Sequence, residues 1–196
     1  LSPTSTLIYS KNIFEIDLMK AKATLLTIIQ LKKYPGLEEI NSVIIDQKQR
    51  YWISTLNQTG CFERLGDSLR LIKGYTVSDG LKSAWVHELF ADGSGRIWLF
   101  ASNGLSAIDS KSQEIKHFGV NEGLVDHYID PRQIITLPSG HIATVNGPGL
   151  IIFHPDSLWN YFSNQDVPVI IKSIRSSGIP LKFEKDPNYL DELILS

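Results

Sequence analysis

The chain has 196 residues, with 19 Lys and Arg against 21 Asp and Glu, a formal net charge of −2, and 42% hydrophobic residues. That profile is of a globular protein and excludes a disordered tail or a collagen-like fibre. The balanced charge gives no electrostatic reason for nucleic acid or anionic lipid as a main partner, and a single cysteine, Cys61, excludes a disulfide framework and a cysteine-rich zinc site.

The length suits one domain, or one and a fraction. The longest apolar stretch, 23–31, is interrupted by Thr24, Thr27 and Gln30, short of the ~20 apolar residues that cross a bilayer. No signal peptide is visible. The chain opens at Leu1 rather than at methionine, so the expectation is an excised or processed piece.

Self-similarity is the main signal. Three Gly-Leu pairs, Gly36-Leu37, Gly80-Leu81 and Gly123-Leu124, stand 44 and 43 residues apart. Each is followed by an apolar segment, a polar turn and a second apolar segment. In chain order, a partial copy comes first: 6–18 lies over 98–110 at an offset of 92, with Ser10 on Ser102 and Asp17 on Asp109. It lacks an opening strand, so the chain is expected to begin inside a repeat.

The first full unit carries Arg50-Tyr51-Trp52-Ile53-Ser54-Thr55, the aromatic and β-branched composition of a strand. The second carries the hairpin chemistry Asp92-Gly93-Ser94-Gly95, the strand Arg96-Ile97-Trp98-Leu99-Phe100 and the turn Asn103-Gly104. The third carries Pro138-Ser139-Gly140 and Asn146-Gly147, and has Ala143 where the others have Trp52 and Trp98. Gly60, Gly104 and Gly149 align at spacings of 44 and 45, and on that alignment Cys61 takes the slot of Leu105 and Leu150 as a small buried apolar residue.

A unit of about 45 residues with about four short strands is a β-propeller blade. Helical repeats need long 3.6-periodic segments, which Gly and Pro interrupt here. The expected fold is therefore all-β: about three and a half four-stranded blades, with units at about 1–36, 37–80, 81–123 and 124–160 within a partial propeller over 1–160. The repeat ends after 154–158. A polar linker at 161–166 precedes a strand from Pro168, a turn at Ser176-Ser177-Gly178 and extended chain from Ile179, as at the start of a β-sandwich.

The run Asp92-Gly93-Ser94-Gly95-Arg96-Ile97-Trp98, followed by Ser102-Asn103-Gly104-Leu105, Asp109, Phe118 and Gly123-Leu124, resembles the two-component regulator propeller repeat. The segment from Gly149 to Leu158 resembles the last blade of such an array, and 167–196 is similar to the opening of the three-tyrosine Ig-like module that follows these propellers. The resemblance covers about 6–158 for the propeller. It implies a segment of the periplasmic sensor of a hybrid two-component histidine kinase. Its ligand would be an oligosaccharide, the parent receptor a homodimer, and the membrane, kinase and receiver parts would lie elsewhere in the parent. The first unit departs in having Gln47-Lys48-Gln49 for the Gly-rich turn, and the third in lacking the Trp.

In such a propeller the loops entering the innermost strands form one rim. Here they carry Trp85, His87, His127, Tyr128, Asp130 and Arg132 as candidate ligand-binding residues. Aromatic plates beside polar groups suit sugars, whose C–H faces stack while their hydroxyls hydrogen-bond; the plainer alternative is that Trp85 and Tyr128 wedge blades together. His87 and His127 lack a third ligand at helical or hairpin spacing, so no metal and no cofactor is expected. Asp126 and Asp130 raise a carboxylate pair for glycoside hydrolysis, but no catalytic residue is assigned. Asp46, Asp92 and Asp109 read as turn-forming, Trp52 and Trp98 as core, and Gly93-Ser94-Gly95 lacks the Lys-Ser/Thr and helix of a phosphate loop. The functional expectation is a non-catalytic ligand sensor that binds no nucleic acid. A carbohydrate-active propeller lyase or hydrolase and a protein-interaction scaffold are the alternatives.

Overall fold

The computed structural model describes residues 5–10, 12–28, 39–101, 103–122, 124, 134–146, 149–161, 175–176 and 179–180. Gly36-Leu37, Gly123, the loop 125–133 and most of the expected sandwich segment 167–196 lie outside them. The chain divides into two compact units, 1–159 and 160–196.

The first unit is a series of antiparallel sheets. β1 (Ser5–Tyr9), β2 (Ile13–Asp17) and β3 (Lys22–Ile28) form the first. β4 (Ile40–Ile45), β5 (Tyr51–Thr55), β6 (Thr59–Leu65) and β7 (Ser68–Tyr75) form the second. β8 (Val86–Ala91), β9 (Arg96–Ala101), β10 (Gly104–Asp109) and β11 (Ile115–Phe118) form the third. β12 (Ile134–Thr136), β13 (Ile142–Asn146) and β14 (Gly149–Phe153) form the fourth. This is the expected partial propeller-like β fold, each sheet being one blade. The first two blades also join at their outer edges, where β3 and β7 pair in parallel at Thr27–Ser68 and Ile28–Leu69. In the second unit, β15 (Arg175–Ser176) pairs antiparallel with β16 (Ile179–Pro180).

Apolar side chains alternate between the two faces of each blade, so burial requires a neighbouring blade. Ile13 and Leu26 of the first blade pack with Val43, Ile53 and Phe62 of the second. Trp52, Cys61 and Tyr75 pack with Val86, Leu89 and Ile97 of the third. Trp98, Phe100 and Phe118 pack with Ile142 and Ile151 of the fourth. At the two ends of the series, Ile8, Phe14 and Leu25 on the first blade and Ile135, Leu150 and Ile152 on the last are exposed.

Hairpin chemistry recurs blade by blade. Asp46 Oδ1 accepts the backbone N–H groups of Lys48 and Arg50, and Oδ2 accepts Arg50 Nε at 2.7 Å and Trp52 Nε1 at 3.0 Å. Asp92 repeats this with Ser94, Arg96 and Trp98, the last two at 2.6 and 2.8 Å. These two turns, and the turn from Leu137 to His141 in the fourth blade, each place one residue at positive φ: Gln49 at 60°, Gly95 at 89° and Gly140 at 81°. The second blade thus keeps the turn without glycine, with Asp46 supplying its hydrogen bonds. Asp109 caps the hairpin between β10 and β11 through the backbone N–H groups of Lys111 and Ser112, and Asp17 that between β2 and β3 through those of Met19 and Lys20.

The registers correct three expectations. Cys61 stands opposite Trp52 as Ala107 stands opposite Trp98 and Ile152 opposite Ala143, so its slot is that of Ala107 and not of Leu105 or Leu150. Gly60 therefore does not align with Gly104: it lies within β6 under the Phe62 ring, where a Cβ would come within 2.6 Å of Phe62 Cε2. In the partial copy, Leu7 rather than Thr6 takes the place of Trp98, since Tyr9 pairs with Ile13 across a loop one residue shorter than that between Phe100 and Leu105. After β14 the chain forms not an outer strand but a short helix, α1 (Pro155–Trp159).

Candidate functional site

The rim expected to bind begins at the innermost strands. β4 and β8 each carry a register slip, between Ile40 and Ser42 and between Val86 and Glu88. The extra residues are Asn41 and His87, at equivalent places. Such bulges bend the strand and re-aim the bulged side chain. Asn41 Nδ2 donates to Val86 O of the next blade at 2.9 Å. The next residue repeats the tie: the buried Ser42 hydroxyl donates to Glu88 Oε1 and accepts the Leu89 N–H at 3.1 Å. Tyr9 lies beside them; its burial, and then the charge of Glu88, push its hydroxyl above the ordinary value. The mouth of the inner strands therefore carries a polar string, Tyr9–Ser42–Glu88, across three blades.

The loop that delivers Trp85 is built from its own residues. Val77–Asp79 form a 3₁₀ turn capped at Thr76, whose N–H and hydroxyl donate to Asp79 Oδ2 at 2.9 and 2.6 Å. Those bonds hold the Asp79 carboxyl below its ordinary value. Gly80 then takes φ 106°, a conformation that costs a side chain strain, and Leu81 plugs the core at 3% exposure. The same bond closes the next loop: Leu81 N–H to Thr76 O at 3.2 Å, and Leu124 N–H to Gly119 O at 3.1 Å. Gly80-Leu81 is thus a turn residue followed by a plug. His117 fastens the loop, with Nε2 2.7 Å from Gly80 O and Nδ1 2.8 Å from Ser106 Oγ. Burial keeps its pKa below the ordinary histidine value, against the pull of the Gly80 carbonyl.

On this support Trp85 is 51% exposed, with its ring 5.3 Å from that of His87. Ser83 Oγ accepts the Trp85 N–H at 3.2 Å. The structure brings these two predicted residues together. His127, Tyr128, Asp130 and Arg132, with the Asp126–Asp130 pair, lie outside the described residues. Glu88, Ser42 and Asn41 escaped the sequence reading, although the 46-residue spacing of Asn41 and His87 carried the signal. An exposed indole beside an imidazole offers a stacking face with a hydrogen-bonding group at its edge. Among the described residues no group of three or more His, Cys, Asp or Glu could hold a metal ion, and no helix is long and apolar enough to cross a membrane.

The opposite rim carries charge. Arg96, already bound to Asp92, also donates to Asp156 Oδ1 of α1. Trp159 lies under two cations, with Arg96 Cζ 5.7 Å and Lys116 Nζ 4.6 Å from its ring centre. The last turn of the unit is thereby bound back onto the third blade.

No family model matches the chain, and no curated protein matches it. Solved structures do. The extracellular domain of the putative one component system BT4673 from B. thetaiotaomicron is similar with a TM-score of 0.64 at 16% identity, over 80% of this chain and 22% of that one. The extracellular domain of the putative hybrid two component system BT3049 from the same organism gives 0.59 at 21%, over 78% and 22%. PorZ, a surface component of the type-IX secretion system of Porphyromonas gingivalis, gives 0.56 at 11%, over 74% and 23%. The chain spans about a fifth of the length of these proteins, and the likeness is one of fold.

Proposed function

We propose that this chain is a ligand-sensing part of the extracytoplasmic region of a hybrid two-component sensor, and that the rim bearing Trp85 and His87 takes an oligosaccharide. The observation that carries the reading is the exposed indole of Trp85, held by a capped loop beside His87. A rigid aromatic plate at the mouth of the inner strands suits the C–H face of a sugar, and the neighbouring polar groups suit its hydroxyls. The fold shared with the extracellular domains of BT4673 and BT3049 supports the sensing role, as does the repeat running from Asp92 to Leu124.

In this reading the chain is non-catalytic and periplasmic, and the parent receptor is a homodimer. The segment 167–196 opens an Ig-like module that passes on ligand binding, by the ligand favouring one arrangement over another. His127, Tyr128, Asp130 and Arg132, outside the described residues, are assigned to the same rim from their place in the repeat alone. The test is thermal-shift screening against an oligosaccharide panel, with product analysis of each mixture. A ligand at about 100 times its Kd adds about 2.7 kcal/mol to stability, and Trp85→Ala is expected to remove the shift while the chain stays folded. Cleavage of any oligosaccharide in the panel would replace the sensor by an enzyme.

A further inference from the structure

The fourth blade is one strand short. β7 pairs with β6 and β11 with β10, but among the described residues no strand pairs with the outer edge of β14. We infer that this edge takes an extended segment from outside these 196 residues, laid antiparallel to β14 and carrying the pattern apolar–Lys–x–aromatic.

The hydrogen-bonding edge carries the argument. β13 and β14 are joined across two residues, with Asn146 opposite Gly149. Antiparallel alternation then turns the N–H and C=O groups of Leu150 and Ile152 away from β13. Their counterparts by register in the third blade, Leu105 and Ala107, face Phe118 and Lys116 of β11. Those in the second, Thr59 and Cys61, face Tyr75 and Lys73 of β7. All four counterparts are at most 3% exposed, whereas Leu150 is 62% and Ile152 51% exposed. Packing another sheet onto that face would cover the two side chains and supply no partner for the backbone groups. A strand supplies one.

Composition points the same way. Outer edges that stay open carry charge, which discourages pairing. Lys22 stands on β3, Arg70 and Lys73 on β7, and Lys116 on β11. β14 reads Gly-Leu-Ile-Ile-Phe, with neither charge nor proline, as suits a strand with a neighbour on each side.

The other blades state what the segment holds. The slot opposite Leu150 corresponds to Tyr75 in the second blade and Phe118 in the third, each with its ring 5.6 Å from the indole of Trp52 or Trp98. The first blade has Leu26 there, and all three are at most 2% exposed. Lys73 and Lys116 stand two residues before the aromatic, each preceded by isoleucine. In the fourth blade Ala143, opposite Ile152, takes the place of the indole, which leaves more room for a ring.

The test uses a fluorescent peptide of residues 113–120, Gln-Glu-Ile-Lys-His-Phe-Gly-Val, added to the full chain. The expected result is saturable binding by anisotropy, with slower hydrogen exchange at the Leu150 and Ile152 amides. Serine in place of the peptide's phenylalanine weakens binding about tenfold, and so does N-methylation of its lysine, which removes a donor to β14. N-methylation of its histidine, whose N–H faces away from β14, leaves binding unchanged. In the chain, Ile152→Pro removes an outward donor and Ile152→Lys places a charge on the edge. Both abolish binding, and Trp85→Ala has no effect. Amide spectra establish that each variant is folded. Absence of binding overturns the inference, as does binding that survives Ile152→Pro or responds equally to the two methylations. Slow exchange at Leu150 and Ile152 before peptide is added overturns it too. At low protein concentration that result gives the edge to a segment of this chain, and at high concentration alone to a second copy. None of these outcomes bears on the Trp85 rim, which the oligosaccharide screen judges.

Discussion

Lys116 Nζ lies 4.6 Å from the ring centre of Trp159 and donates to the Trp159 carbonyl oxygen at 3.0 Å. The two residues are 43 positions apart. The contact fixes the last described turn of the first unit against β11, with Arg96 5.7 Å from the same ring. A cation over an indole contributes about 0.5–1 kcal/mol at a partly exposed site.

Trp159→Ala removes both cation contacts, so α1 should open more often while the earlier blades stay closed. Hydrogen exchange checks this at the Leu158 amide, which is bonded to His154 O. Exchange there should speed roughly tenfold, for about 1.4 kcal/mol lost, with Ile53 and Ile97 amides unchanged. Equal acceleration at all three sites would mean that α1 is not a separate local element.

Asp46 predicts the acid limb of stability. Burial pushes its carboxyl up, but the hydrogen bonds of Trp52 and Arg50 outweigh that and hold it below the ordinary 3.8. A folded pKa below the unfolded one means that the unfolded state binds protons more readily. The stabilisation is present above pH 3.8 and is lost as pH falls through the lower folded value. Asp46→Asn should cost about 3 kcal/mol at pH 7, because Arg50 loses its buried partner. It should also flatten the fall in melting temperature below pH 4, as read by circular dichroism.

Gly60 and Gly93 should behave oppositely. A Cβ at Gly60 meets Phe62 Cε2 at 2.6 Å and Leu71 Cδ1 at 2.9 Å, whereas nothing lies within 4 Å at Gly93. Gly60→Ala overpacks the core beside a fully buried ring and should cost about 1–3 kcal/mol. Gly93→Ala should fall within about 0.5 kcal/mol of the parent. Urea denaturation of the two variants measures both.

Cys61 should be inert in the folded chain. Burial pushes its thiol up to about 11, with Arg50 pulling the other way, so almost no thiolate exists at pH 8 and the residue is 3% exposed. Iodoacetamide should label it only after unfolding. Rapid labelling at pH 8 without denaturant would show that the second and third blades separate readily.

The local features of the fold were legible because short stretches carry them. Asp92-Gly93-Ser94-Gly95 announces its hairpin, and Arg96-Ile97-Trp98 its strand. Gly80-Leu81 marks a loop whose reason, a left-handed turn and a buried plug, appears only in three dimensions. The spacing of glycines misled where glycine had two roles. Gly104 starts a strand after a turn, but Gly60 makes room for Phe62 within one. Their neighbours differ, Thr59-Gly60-Cys61 against the turn pair Asn103-Gly104, but a 44-residue spacing matches the two glycines whatever their roles.

By itself the sequence determined the all-β class, the period of the blades and the placing of Trp85 and His87 on one rim, since these follow from repeat spacing and turn chemistry. Only the tertiary structure decided that Ser42 reaches Glu88, that Arg96 reaches Asp156 across 60 positions, and that α1 replaces an outer strand. The physical reason is that each blade leaves one face and one row of polar groups unsatisfied. Which neighbour satisfies them depends on the packing of whole sheets, which no local pattern encodes.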